Sequence, residues 1–354
     1  MKIAVYAIAL NEEKFIERFC ESAADADLIL IADTGSTDRT VELAKQFPNV
    51  VVHDIRVKPW RFDIPRNTAM ALIPADMEVC FSLDIDEVLQ PGWRQEVERV
   101  WIPGETNHLR YKFDWGAGIA FFYEKVHGRD GFRWHHPCHE IVVPDGRIPE
   151  VWAQTDMLLV VHKPDPTKSR GQYLDLLEMS VREDAHDPRN AFYYARELSF
   201  HRRWEDSIAA CEKYLAMPNA NWPNERCYAM RVASRCAAEL GQLGEAFKWA
   251  RKGCAEAPDT REPWCEVAML CYRHGYWAEC FGAAMTALGI TQREWVYTVD
   301  PAVWGSQPHD LASISAWHLG LMSVAREQAR LAVEKEPDNE RLQTNLKLVL
   351  EAAG

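Results

Sequence analysis

The chain has 354 residues, 47% hydrophobic and 26% charged, with a formal net charge of −13. That length suits two or three domains with a sizeable core, and acidic residues spread without a long Lys/Arg run disfavour nonspecific binding to nucleic acid or an anionic membrane. No apolar segment reaches the roughly 18–20 residues needed to cross a bilayer.

The start, MKIAVYAIALNEEKFIERF, has no small-residue cleavage site and runs straight into an acidic helix pattern, so it reads as a first core strand. KIAVYAIAL is predicted as that strand and NEEKFIERFCESA as a helix, with Phe15, Ile16, Phe19 and Cys20 at helical spacing. DLILIAD is a second strand, followed by the turn TGS and a helix in TDRTVELAKQF. The strand VVVHDI, the helix RNTAMALI and the strand VCFSLDIDEVL continue the alternation. Such a pattern argues for a largely parallel sheet covered by helices. HLRYKF, IAFFYEKV, HEIVVP and DMLLVVH read as strands of a smaller mixed sheet.

After about Pro164 the strands stop. RRWEDSIAACEKYLAMP, GQLGEAFKWARKGCAEAP, GYWAECFGAAMTALGI and GLMSVAREQARLAVEKEP align on the small residues Ser207, Ala246, Cys280 and Ala325. Gly241, Gly275 and Gly320 each stand five positions before the marker, and Pro258 and Pro337 twelve after it. The step from Ala246 to Cys280 is 34 residues, the period of tetratricopeptide helix pairs. This half resembles a tetratricopeptide domain of about four irregular repeats, with WVYTVDPAVWGSQPHD inserted as a loop. The domains are therefore expected at 1–163 and 187–354, joined through 164–186. Ten cysteines are scattered and never spaced as CxxC, which fits reduced, buried thiols in a cytoplasmic protein.

The chemistry concentrates at three predicted strand ends. Asp84 and Asp86, in FSLDIDEVL, would face one side of a strand, at the edge where open α/β sheets bind ligands. Aligned carboxylates with no basic neighbour in that stretch repel, and Mg²⁺ or Mn²⁺ together with a diphosphate would relieve the repulsion. The alternative is one Asp capping a helix and the other solvated. In ILIADTGSTDRT, Asp33 precedes a tight turn and suits the polar edge of a base or ribose, and Asn11 and Glu12 occupy the equivalent rim of the first strand. A nicotinamide or flavin fold would carry GxGxxG at that rim, where ALNEEKF stands. A nucleotidyltransferase would carry a basic, Gly-rich loop there.

Strand-NEE, strand-DTGSTD and strand-DID, in this order, resemble a family 2 glycosyltransferase of the GT-A fold over roughly residues 1 to 163. With the helical tail, the chain resembles the bacterial and phage branch that joins such a domain to repeats. The resemblance implies a nucleotide-sugar donor, UDP being the family's usual choice, a Mn²⁺ or Mg²⁺ ion, and inversion at the anomeric carbon. It implies nucleoside contact by Asp33 beside Asn11 and Glu12, and an Arg66–Asn67 pair opening a helix beside the nucleotide. It further implies a metal site of Asp86, the direct ligand, with Asp84, which also reaches the sugar or ribose, and His162 closing over metal or diphosphate.

FRWHHPCHEIVV resembles the branch's His-Glu element, His139 and Glu140, which makes Glu140 the first choice for the catalytic base. Asp114, in YKFDWGAG, is the second. HHPCH also offers zinc donors, without a second pair at customary spacing. Trp115 or Trp134 could stack on a sugar ring. The helical half could hold a protein or peptide acceptor, or make a homodimer. Two other readings stand beside the enzyme: an interaction scaffold with an inert GT-A domain, and a transferase acting on modified DNA bases or glycan.

Overall fold

The computed structural model describes residues 1–165 and 171–351. The chain divides into two units, Met1–Glu183 with Trp295–Tyr297, and Asp184–Glu294 with the chain from Thr298 onward. Of the expected connection at 164–186, residues 166–170 lie outside the described residues; its later part is a helix grouped with the first unit. The last three positions of the expected repeat domain, 352–354, also lie outside the described residues.

The first unit begins with β1 (Ile3–Ala9), α1 (Ile16–Ser22), β2 (Leu28–Asp33), α2 (Thr40–Ala44), β3 (Val50–Asp54), α3 (Asp63–Leu72) and β4 (Val79–Ser82). It continues with β5 (Glu87–Leu89), α4 (Trp93–Val100), β6 (His108–Gly116), β7 (Ile119–Gly128), β8 (Phe132–His135), β9 (Ile141–Pro144), β10 (Trp152–His162) and α5 (Tyr173–Glu183). Eight strands make one sheet in the order β3-β2-β1-β4-β7-β6-β10-β5. The β3-β2-β1-β4 part is parallel throughout, whereas β7 runs antiparallel to both β4 and β6.

The period of two in β1 feeds two cores. Ile3, Val5 and Ala7 pack with Ile16, Phe19, Leu43 and Trp93, from α1, α2 and α4. Ala4 and Tyr6 pack with Ala69 and Met70 of α3 and with Phe132, Trp134 and Val142 of the β8–β9 hairpin.

Two expectations need correction. The later strands do not form a smaller sheet: β6, β7 and β10 extend the main one. Among the described residues only β9 pairs separately, with β8, a strand that the sequence does not announce. Nor is VCFSLDIDEVL one strand. The Leu83 amide donates to Tyr6 O at 3.0 Å and the Glu87 amide to Asp84 O at 2.9 Å, so the chain leaves β4 and turns before β5 joins β10. Asp84 and Asp86 sit in that turn.

The second unit is helical: α6 (Pro188–Phe200), α7 (Trp204–Leu215), α8 (Pro223–Glu239), α9 (Leu243–Glu256), α10 (Arg261–Arg273), α11 (Trp277–Gly289), α12 (Pro301–Trp304), α13 (Gln307–His318), α14 (Met322–Lys335) and α15 (Glu340–Glu351). The marker residues are each the fourth residue of the second helix in the pairs α6/α7, α8/α9, α10/α11 and α13/α14. Each has a small residue twelve positions earlier, in the first helix of its pair: Ala195, Ser234, Ala268 and Ser313. In three pairs a buried serine joins the two helices, through Ser207 Oγ to Ala195 O at 2.8 Å, Ser234 Oγ to Ala246 O at 2.9 Å and Ser313 Oγ to Ala325 O at 2.8 Å. The expected inserted loop is not all loop, since it contains α12 and the first turn of α13. All ten cysteines are buried, and none forms a disulfide. Among the described residues, no helix is long and apolar enough to cross a membrane.

Candidate active site

Parallel pairing puts the carboxyl ends of β1, β2 and β4 on one edge, with Ala9 beside Asp33 and Tyr6 beside Ser82. The first two ends are tied together. Thr34 N donates to Ala9 O at 2.9 Å, Asn11 N to Ser36 Oγ at 2.9 Å, and Thr37 N to Asn11 Oδ1 at 2.8 Å. Asn11 adopts a left-handed φ of 55°, and Glu12, buried, gives its amide to Thr40 Oγ1 at 2.6 Å. Asp33 is buried, and its Oδ2 accepts from the amides of Gly35 and Ser36, each at 3.1 Å. A carboxylate has about four lone-pair positions, so the turn leaves Asp33 accepting capacity.

At the end of β4 the charges are paired within the protein. Arg66 of α3 is 4% exposed and donates through Nε to Glu140 Oε1 at 2.6 Å, through Nη2 to Asp84 Oδ1, and through Nη1 to Ser82 Oγ at 3.4 Å. Its guanidinium lies 4.9 Å from the centre of the Trp134 ring. Lys125 of β7 donates to Asp84 Oδ2 at 3.0 Å and to Glu87 Oε1 at 2.8 Å. Burial alone would raise the Asp84 pKa, but the Arg66 and Lys125 charges outweigh it and hold the carboxyl well below the usual carboxylate range. Burial pushes Glu87 up to about 7 despite Lys125. The repulsion expected between Asp84 and Asp86 is thus already relieved on the Asp84 side, by partners distant in sequence.

Asp86 meets a different partner. His162, at the end of β10, lies with Nε2 3.4 Å from Asp86 Oδ2. Burial would lower the His162 pKa, but the Asp86 bond and charge prevail and raise it. Its Nδ1 is buried without a hydrogen-bond partner among the described residues. The Trp115 ring stands 4.3 Å from the His162 ring and is exposed, whereas Trp134 is buried.

The remaining expected residues are placed as follows. Asn67 brackets β8, donating to Trp134 O at 2.9 Å and accepting from Trp134 N at 2.8 Å. Glu140 is drawn to Asp84 through their shared Arg66. Asp114 sits beside the β6–β7 turn and accepts from Gly116 N at 2.9 Å. His136 and His139 both take left-handed backbone, φ 83° and 51°. Among the described residues, no group of three or more His, Cys, Asp or Glu is arranged to hold a metal ion. In this geometry neither HHPCH nor Asp84, Asp86 and His162 together forms such a group.

Residues 5–109 match the family model described as Glycosyl transferase family 2. The first unit carries a family 2 glycosyltransferase domain. Glycosyltransferase activity is the general expectation for such a domain. No curated protein matches the chain. Solved structures similar to it include YrrB, titled a TPR protein with an unusual peptide-binding site, at 12% identity over 51% of this chain and 84% of that one, TM-score 0.41. PilW, titled a widely conserved type IV pilus biogenesis factor, matches at 19% over 50% and 74%, TM-score 0.40. TTC0263, titled a thermophilic TPR protein from Thermus thermophilus, matches at 14% over 51% and 92%, TM-score 0.37.

In the first unit, the donor set fits a divalent ion in a restricted way. One carboxylate and one imidazole lie together at Asp86 and His162, and Mg²⁺-type sites often take only one or two protein ligands, with phosphate oxygens and water completing the shell. Sequence reading missed Lys125 and Glu87. Its only signal was a lysine inside the apolar strand IAFFYEKVHG, and that names no partner.

Proposed function

We propose that the chain is an inverting, metal-dependent glycosyltransferase. It moves a sugar from a nucleotide-sugar donor, UDP-linked by the family's usual choice, to an acceptor hydroxyl or thiol. The reading rests on one convergence: a rigid Asn11–Asp33 rim, a doubly paired Asp84 and an Asp86–His162 pair all follow strand ends of the same sheet. In this reading Asp33, beside Asn11 and Glu12, bounds the nucleoside, and Asp84 accepts from ribose or sugar hydroxyls. Arg66 offsets diphosphate charge; it and Asn67 stand one turn inside α3 and do not open it, and Asn67 ties that helix to β8. Asp86 and His162 would hold Mn²⁺ or Mg²⁺, which supplies charge stabilisation for the departing diphosphate. Glu140, anchored through one oxygen on Arg66, takes the acceptor proton; Asp114 is the alternative base. Trp115 offers its exposed face to a sugar ring. The helical repeats would recruit a protein or peptide acceptor on their concave surface, and the buried thiols suit the cytoplasm.

The test is donor hydrolysis or transfer with a panel of nucleotide sugars and MnCl₂. Turnover is expected to vanish in EDTA and to fall by about 100-fold or more in Asp86→Ala, the scale of losing a transition-state stabiliser, with circular dichroism unchanged. Turnover by that variant in EDTA would overturn the proposal. The internal pairing of Asp84 favours one rival, a helical-repeat scaffold with an inert first unit, which would show no metal-linked heat with any nucleotide sugar.

A further inference from the structure

We propose that Lys125 and Glu87 are positioning residues that set how Asp84 presents its carboxylate to the hydroxyl groups of a nucleotide ligand. This rests on the donor-binding reading above.

Three anchors converge on one residue. Arg66 holds Asp84 Oδ1, Lys125 holds Oδ2 at 3.0 Å, and Glu87 Oε2 accepts from the Asp84 amide at 2.9 Å. Glu87 also fixes Lys125 from behind, at 2.8 Å, and the Lys125 ammonium lies 4.8 Å from the Tyr123 ring centre. Both clamp residues are buried, at 4% and 1% exposure, while 39% of the Asp84 side chain remains exposed. A buried ion pair is a poor way to hold strands together, because apolar side chains of similar volume usually serve as well or better. A carboxylate fixed in orientation and still partly exposed is what hydroxyl recognition requires. Asp86, by contrast, is ion-paired to His162 alone among the described residues.

The test compares wild type, Lys125→Met and the double variant Lys125→Met/Glu87→Gln. Calorimetry measures affinity for UDP, GDP, ADP and CDP with MnCl₂, and thermal unfolding measures stability. Lys125→Met strands a buried carboxylate and is expected to lower Tm. The double variant removes both charges, and the glutamine introduced at position 87 keeps an oxygen for the Asp84 amide, so Tm is expected to return. Nucleotide affinity is expected to stay about tenfold or more below wild type in both, the scale of losing a hydrogen bond to a charged group. Recovery of affinity together with Tm in the double variant would show a merely structural pair and overturn the inference. Wild-type affinity in Lys125→Met would do the same. Failure of wild type to bind any of the four nucleotides would instead remove the donor-binding reading and this inference with it.

Discussion

His127 sits in a buried chain whose partners dictate its tautomer. Gly128 O can only accept, so Nδ1, 2.7 Å away, carries the proton, and Nε2 accepts from Tyr6 OH at 2.7 Å. Trp134 Nε1 in turn donates to the Tyr6 oxygen at 2.7 Å. Burial pushes the His127 pKa down to about 3, from 6.5. The unfolded chain therefore takes up a proton that the folded chain refuses. The contribution is fully present above pH 6.5 and is lost as pH falls towards 3, at about 1.4 kcal/mol per pH unit. Denaturant unfolding at about pH 7.5 and about pH 5.5 checks this: His127→Gln should flatten the loss by close to one proton's worth. Little at this scale was legible beforehand. Asp33, Asp84 and Asp86 could be singled out because short motifs carry them. Lys125 lies 41 residues from Asp84, and only the β4–β7 pairing makes them neighbours.

Local periodicity reaches elements more readily than pairings. The alternation that marks β1 and β2, and the helical spacing of Phe15, Ile16, Phe19 and Cys20, come from contacts within a few residues. The antiparallel return of β7 beside β4 does not, which is why the later strands read as a separate sheet. The break after Ser82 was hidden because FSLDIDEVL stays apolar through the turn, with Leu83 and Ile85 as buried as strand residues. In the repeats the turn chemistry was open to view. Gly241, Gly275 and Gly320 have φ of 72° to 73°, and the first pair has Arg202 there, at φ 57°. A left-handed residue other than glycine costs about 1–2 kcal/mol. Nothing lies within 4 Å of a Cβ built at Gly241, so Gly241→Ala should destabilise through the backbone alone, by about 1 kcal/mol. Arg202→Gly should leave stability level or raise it by a few tenths of a kcal/mol, because glycine's greater freedom in the unfolded chain offsets part of the relief. Denaturation midpoints at constant m decide both.

For the whole molecule, the net charge of −13 bears on the acceptor. At that net charge, long-range attraction to a phosphate backbone is weak, so no shift of duplex or single-stranded DNA is expected in gels at physiological salt. A shift that weakens steeply with added salt would reveal a concealed basic groove and revive the modified-base acceptor. The division into a sheet unit and a helical unit was legible because the two halves use different periods, two and 3.6. The constancy of the helix pairs has a consequence for how such a chain can change. The steps between Ser207, Ala246, Cys280 and Ala325 are 39, 34 and 45 residues, yet the spacing inside every pair is twelve. Extra chain has therefore accumulated between the pairs, lengthening α8 in the first step and adding α12 in the last, so those stretches, and not the tight hairpins, are where new chain can be grafted without loosening the array.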